Sequence, residues 1–201
     1  MIAIIDYDAG NIRSVEKALI HLGAECRLTR DISEIERADK IVLPGVGAFG
    51  DAMGRLNQYG LTDAIRTAVD KGTPFLGICL GMQVIFDESE ESPGVKGLSL
   101  LPGKVVRFTG KDGLKVPQIG WNSLDIMKGS RLLNSVDDGA FVYFVHSYYV
   151  DATDKDDVVA TTGYGETADV VVAHNNIFGC QFHPEKSSSI GLKILKNFTD
   201  M

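Results

Sequence analysis

Thr73-Pro74-Phe75-Leu76-Gly77-Ile78-Cys79-Leu80-Gly81-Met82-Gln83 places an apolar strand, a Gly-x-Cys-x-Gly corner and a helix-forming stretch in succession. A corner of this kind presents a nucleophile, because small residues two before and two after it let the backbones pass closely. Cys79 is the candidate nucleophile, directed out of the sheet into a cleft. A helix expected over 80–88 would set unpaired N–H groups and its dipole behind the sulfur, favouring thiolate over thiol. The plain alternative is a buried cysteine that closes a core strand; the paired glycines and the strand-corner-helix order weigh against it.

A thiolate that attacks an acyl group needs a base, a group that orients the base, and donors for the oxyanion. Four histidines are available. His21 lies beside Leu22 on an expected helix, and His174 precedes Asn175-Asn176, a hairpin-turn pair expected to be solvated. His146, in Phe144-Val145-His146-Ser147-Tyr148-Tyr149, is either a strand histidine at a cleft edge or a substrate contact. His183 ends a strand in Gly179-Cys180-Gln181-Phe182-His183-Pro184-Glu185. Proline holds the residue before it extended and fixes its own φ, so residues 183 and 185 tend to project to one side, and Glu185 can reach the ring nitrogen facing away from Cys79. Cys180 reads as core. The chain order Cys, His, Glu departs from the nucleophile, acid, histidine order of α/β-hydrolases. Two backbone donors complete the set: Leu80 N–H, and Gly47 N–H in the loop Pro44-Gly45-Val46-Gly47-Ala48-Phe49-Gly50. That loop also matches Gly-x-Gly-x-x-Gly, but it follows the third strand and its candidate ribose acid, Asp70, falls in a helix, which disfavours a dinucleotide site.

The positioning elements follow from periodicity. Ile2–Ile5, 25–28 and 40–43 read as buried strands. Ile12, Val15, Leu19 and Leu22 recur at helical spacing up to Gly23, and 51–58 and 61–70 read as helices. This alternation means βαβ units and a parallel sheet, whose ligands bind beyond the carboxyl ends of the strands. From Gly94 short strands and turns take over (103–108, 115–119, 141–150, 158–162, 167–172, 177–182), mostly antiparallel beside the first sheet, and Ile190, Ile194, Leu195 and Phe198 restore helical spacing at the end. The fold class is α/β, a mostly parallel central sheet with flanking helices plus an antiparallel portion, in one domain spanning 1–201. With 201 residues, 44% hydrophobic, 23% charged and net charge −7, the composition is that of a soluble globular chain and argues against nucleic acid. No uncharged apolar run reaches the ~18 residues of a membrane span. Three cysteines without a CxxC pair indicate a reduced, cytoplasmic thiol protein, with no metal and no cofactor called for. The acidic run 87–91 reads as solvated.

Pro44-Gly45-Val46-Gly47, Gly77-Ile78-Cys79-Leu80-Gly81-Met82-Gln83 and Gln181-Phe182-His183-Pro184-Glu185 together resemble the triad class of glutamine amidotransferase domains. Asp6-Tyr7-Asp8-Ala9-Gly10-Asn11, Gly47-Ala48-Phe49-Gly50-Asp51, Gly120-Trp121-Asn122, Val145-His146-Ser147-Tyr148-Tyr149 and Glu185-Lys186-Ser187 narrow the resemblance, over nearly the whole chain, to the glutaminase subunits of imidazole glycerol phosphate synthase in histidine biosynthesis. Asp8 departs from the glycine the family pattern leads one to expect. The resemblance implies a class I glutamine amidotransferase fold and a Cys79, His183, Glu185 triad. It further implies an oxyanion hole from Gly47 and Leu80, with Gly45, Gln83, His146, Ser147 and Tyr148 holding L-glutamine. It also implies a partner, a (βα)8-barrel cyclase subunit that uses the ammonia on a phosphoribulosyl-formimino-aminoimidazole carboxamide ribonucleotide to make imidazole glycerol phosphate and AICAR. The motifs occupy 44–185, which leaves no room on this chain for the acceptor site. Trp121, expected in a turn, is either a core aromatic or an anchor for that partner. Another cysteine hydrolase or peptidase, a glutaminase serving a different synthase, and a binding module without catalysis are the competing readings.

Overall fold

The computed structural model describes residues 1–201, the side chain of Asp112 excepted. The first half alternates as expected: β1 (Ile2–Ile5), α1 (Ile12–His21), β2 (Cys26–Thr29), α2 (Ile32–Glu36), β3 (Lys40–Gly45), α3 (Phe49–Gln58), α4 (Leu61–Asp70), β4 (Phe75–Cys79) and α5 (Leu80–Gln83). Then come β5 (Glu88–Ser89), β6 (Gly103–Arg107), β7 (Gln118–Ser123), β8 (Asp125–Ile126), β9 (Phe141–His146), β10 (Tyr148–Ala152), β11 (Val158–Gly163), β12 (Thr167–His174), β13 (Ile177–Cys180) and α6 (Ser188–Thr199).

One sheet carries most of these strands, in the order β2-β1-β3-β4-β13-β12-β10-β6-β5, with β11 added beside β12 and β8 beside β11. Pairing is parallel from β2 through β13 and antiparallel from β13 to β12, β10 and β6. The antiparallel portion therefore continues the parallel sheet, with β13 as the joint. Alternate side chains feed opposite faces, as the two-residue period of a strand requires. Ala3, Ile5, Ile41, Leu43 and Phe75 pack under α2–α4 with Met53, Leu56 and Ile65. Ile2, Ile4, Val42, Leu76 and Ile78 pack under α1 and α6 with Val15, Leu19, Ile194 and Phe198.

Several elements differ from expectation for definable reasons. The helix after Cys79 spans Leu80–Gln83 alone. The carbonyls of Val84, Ile85 and Phe86 are taken by the N–H groups of Leu98, Leu100 and Ser99, so the helix cannot propagate. The expected strand over 141–150 breaks at Ser147: β9 pairs with β7 in a separate two-stranded sheet, while β10 joins the main one. The break is held by His146, whose Nδ1 reaches the Tyr148 carbonyl at 2.8 Å. Trp121 sits in β7 rather than in a turn, 52% exposed. The strand expected over 115–119 runs instead over Gln118–Ser123. The five-residue α2 is too short to show a period and is capped by Asp31, which accepts from Glu34 N–H at 3.1 Å. The acidic run is not merely solvated: Glu91 accepts the Phe49 N–H at 2.7 Å, Ser92 Oγ accepts that of Gly50 at 2.9 Å, and together they cap α3 from afar. His174 is half-exposed and pairs with Asp157 at 2.8 Å. Asp8 stands at φ 62°, which accounts for the glycine expected there, and is held by Arg30 and Tyr59.

Candidate active site

β4 and β13 are parallel neighbours, with Ile78 paired to Cys180, so the residues just past their ends emerge side by side. Cys79 is the last residue of β4, and His183 follows β13 by three. Parallel pairing thus brings together two groups more than a hundred residues apart, beyond the carboxyl edge of the sheet.

Cys79 adopts φ 55°, ψ −112°, a conformation that costs a non-glycine residue about 1–3 kcal/mol and persists only where packing imposes it. The packing is visible. A Cβ on Gly81 would lie 1.7 Å from the Leu43 carbonyl oxygen, and one on Gly77 would lie 2.5 Å from that of Gly81. The corner therefore closes onto β3 with no space for side chains. Gly45, paired to Cys79 across the β3–β4 ladder, is not in the cavity wall; its missing side chain admits the Tyr7 hydroxyl, 2.1 Å from where a Cβ would stand. That hydroxyl is buried without a hydrogen-bond partner. Burial, and then the Cys79 sulfur, raise the Tyr7 pKa well above its ordinary value.

The cavity beside Cys79 has a volume of about 290 Å³ and is lined by Val46, Gly47, Cys79, Leu80, Gln83, Glu91, Pro117, Val145, His146, Ser147, Tyr148 and His183. Gly47, in the loop after β3, and Leu80, at the start of α5, both line it, and Gly47 has φ 102°. Glu185 stands behind the wall, its side chain fully buried, with Oε1 2.9 Å from His183 Nδ1. Its approach is not that of an extended dipeptide: Pro184–Lys186 form a 3₁₀ turn that folds the carboxylate back onto the ring.

His183 Nε2 makes no regular hydrogen bond and lies against the Cys79 sulfur. Burial by itself would push this imidazole down, but the Cys79 sulfur and the Glu185 carboxylate outweigh it and lift the ring from 6.5 to about 9. His146, in the same wall, goes the opposite way. Burial drives it down to about 4, against the Tyr148 carbonyl, and the charge of His183 adds to the fall. Neutral His146 donates from Nδ1 to the Tyr148 carbonyl; its Nε2 stands 3.1 Å from Gln118 Oε1, and the unprotonated nitrogen is satisfied when that amide turns its NH₂ toward the ring. The two histidines of one cavity are thus pushed in opposite directions, His183 toward the cation and His146 toward the neutral ring.

Four contributors escaped the reading of the sequence. Asn11, at the start of α1, donates from Nδ2 to Glu185 Oε1 at 2.6 Å. Gln118 holds His146, Tyr7 fills the space opposite Gly45, and Gln181 contacts the sulfur, its Nε2 3.7 Å from Cys79 Sγ. Tyr7, Asn11 and Gln181 do lie within the quoted motifs, yet only the fold reveals what they touch. No group of three or more His, Cys, Asp or Glu among the described residues could hold a metal ion.

Residues 3–201 match the family model described as glutamine amidotransferase class-I. Among curated proteins, the chain is 54% identical to imidazole glycerol phosphate synthase subunit HisH of Geobacillus kaustophilus, over 98% of this chain and 95% of the relative. It is 51% identical to the subunit of that name in Chlorobaculum tepidum, over 100% of both. Among solved structures, one titled as a glutamine amidotransferase superposes with a TM-score of 0.78 at 20% identity over 100% of this chain and 98% of the other. PurLQS from Thermotoga maritima gives 0.77 at 20% identity, covering 99% and 97%. At such identities these two speak for the fold alone.

Proposed function

Because the chain belongs to the class-I glutamine amidotransferases, and among them to the HisH subunits of imidazole glycerol phosphate synthase, we propose that its cavity hydrolyses L-glutamine and passes the ammonia to a cyclase subunit. The observation that carries the reading is the meeting of Cys79 with the His183–Glu185 pair at the adjoining ends of β4 and β13, against one cavity.

The Cys79 thiolate adds to the side-chain amide carbon of glutamine. The oxyanion that forms is held by the N–H groups of Gly47 and Leu80. His183, protonated and steadied by Glu185, gives its proton to the amide nitrogen; the C–N bond breaks, ammonia leaves, and a γ-glutamyl thioester remains. Neutral His183 then takes a proton from water, hydroxide adds to the thioester carbon, and the C–S bond breaks to return thiolate and glutamate. Gln83, His146, Ser147 and Tyr148 line the space that the rest of the substrate would fill; His146 offers its ring, since both of its nitrogens are engaged. Gly45 is left out of the binding set and acts as a spacer for Tyr7.

The ammonia acceptor belongs to a second chain, which we take to be a (βα)8-barrel cyclase. A docking face is at hand in the β7–β9 sheet. Ile119, Trp121 and Phe141 are exposed there, and Trp121 packs edge-on to Tyr143 at 6.2 Å. The neighbouring Pro117, Val145 and His146 of the same two chain segments line the cavity. A partner seated on this face would cover the mouth and keep ammonia from bulk water. No described helix is long and apolar enough to cross a membrane; we assign the cytoplasm from the biosynthetic role and the three free thiols.

The test is glutamate release from glutamine by the chain alone and with the cyclase subunit and its nucleotide ligand. Strong activation by the partner, abolished in Cys79→Ala, is expected. Full release by Cys79→Ala would overturn the reading.

A further inference from the structure

The sulfur of Cys79 has a neighbour besides His183. Gln181, wholly buried, directs Nε2 at Cys79 Sγ from 3.7 Å. Its Oε1 accepts from Gln83 Nε2 at 2.9 Å, and the same Gln83 nitrogen donates to the Tyr148 carbonyl at 3.0 Å. The polarity of this relay is fixed by its far end. A backbone carbonyl can only accept, so Gln83 must present its NH₂ to Tyr148. That nitrogen also faces Gln181, so Gln181 must answer with oxygen and turn its own NH₂ to the sulfur. Register does the rest, since Cys180 pairs with Ile78 and the following residue falls beside Cys79. The main chain of Gln181 is tied down as well, with its N–H bonded to the Val170 carbonyl at 2.9 Å.

We propose that Gln181 is a further catalytic residue, a fixed N–H donor to the Cys79 thiolate, and that Gln83 is the positioning residue that sets its orientation. The inference deepens the glutaminase reading and rests on Cys79 being its nucleophile. A thiolate accepts an N–H strongly and a thiol weakly, so a donor that cannot turn away favours the charged form. The role is one the four-residue α5 cannot fill by itself, since so short a helix has little dipole to offer. As the sulfur bonds to the amide carbon and loses its charge, the N–H contact weakens; when the thioester is hydrolysed and thiolate departs, the same donor receives it. The relay also ties the sulfur to the cavity wall, because Tyr148 accepts from both Gln83 and His146.

Other titratable groups around the sulfur are His183 just before the 3₁₀ turn and Glu185 within it, Tyr7 from the loop after β1, Cys180 on β13, and His146, Tyr148 and Glu91 in the cavity wall. All stay in place in the variants that test the idea. The experiment is the rate of Cys79 alkylation by iodoacetamide as a function of pH, without glutamine, on the full chain alone and with its partner subunit. The Cys79 peptide is followed by mass spectrometry, so that the half-buried Cys26 does not contribute. Gln181→Met keeps the length and removes the donor. The midpoint of the alkylation curve should move up by about one pH unit, and the rate at pH 7 should fall about tenfold. Gln83→Met, which leaves Gln181 present but free to turn, should give a shift of the same sign and about threefold in rate; it also reports if Gln181→Met fails to fold. Iodoacetamide reaches Cys79 through the cavity that Gln83 lines, so a change of access alters the plateau rate at high pH, whereas a lost donor moves the midpoint. Superimposable curves for wild type and a folded variant would overturn the inference. Glutamine hydrolysis by Cys79→Ala separates the two levels: a dead Cys79→Ala with unchanged curves removes only the role of Gln181, whereas an active Cys79→Ala removes the nucleophile itself.

Discussion

The two strands that end at the cavity hold their functional groups by different means. At the end of β4 the geometry is written in the backbone. Cys79 is forced to φ 55°, Gly81 closes onto Leu43 with no space for a Cβ, and Gly45 yields its side-chain position to Tyr7. After β13 it is written in side chains. His183 is held by Glu185, Glu185 by Asn11, and Gln181 by Gln83. Ser187 Oγ donates to the His183 carbonyl at 2.7 Å and accepts the Tyr143 N–H at 3.0 Å. Steric placement tolerates no intermediate state, whereas a network loses one bond at a time. The nucleophile end should therefore fail through folding, and the base end through graded chemistry.

The sharpest way to break this contrast is Gly81→Ala. The added methyl group would meet the Leu43 carbonyl oxygen at 1.7 Å, and that oxygen is main chain of β3, which cannot swing aside. Destabilisation by more than about 3 kcal/mol is expected, at or above the upper end for overpacking. Denaturant unfolding measures it; a change under 1 kcal/mol would show that the corner can relax and that its strain is not imposed by close packing.

This division also explains what could be read without coordinates. Steric rules act over a few residues, so the Gly77–Gly81 corner, the α/β alternation and the helix over 61–70 were legible in local spacing. That Gly47 and Leu80 would share a cavity wall could be anticipated, because acyl transfer calls for two donors from separate segments. The length of α5 was not legible, since the loop around 98–100 that stops it is remote in sequence. Neither was the split at Ser147, because a strand of alternating apolar residues carries no mark of which sheet it joins. Asn11 and Gln181 lie in visible motifs, yet their partners, Glu185 and Cys79, are 174 and 102 residues away. An amide has no spacing rule that reveals such a bond.

A pH measurement tests the side-chain half of the comparison. His146 is lowered to about 4 from its ordinary 6.5, so between these values the unfolded chain binds a proton that the folded chain refuses. Stability should be unaffected by this ring above about pH 7, fall as pH drops through 6.5, and level off below about 4. At 1.36 kcal/mol per pH unit the full loss is roughly 3 kcal/mol. His146→Gln should remove that slope, so the comparison is of unfolding free energies at pH 7 and pH 5 for both proteins. Equal slopes would mean that the ring is reached by water or paired when protonated.

The smallest effect is the most discriminating. Asn11 lies at the other end of the chain from Glu185, and its Nδ2 shares Oε1 with His183 Nδ1, while Oε2 is buried without a partner. In a network held by side chains, Asn11→Ala removes one of two donors and leaves the carboxylate with His183 alone. A charge-assisted bond of this kind is worth about 1.5 kcal/mol or somewhat more, but His183 can take up part of the loss by drawing closer. About 1 kcal/mol should then reach the transition state, a fivefold fall in glutaminase kcat with KM little changed, because Asn11 is not in the cavity wall. Rescue by Asn11→Gln is not expected, since the longer side chain would drive its amide past Oε1. A kcat equal to that of the wild type would mean that Glu185 is placed by the 3₁₀ turn of Pro184–Lys186, and that the base end, like the nucleophile end, is set by its backbone.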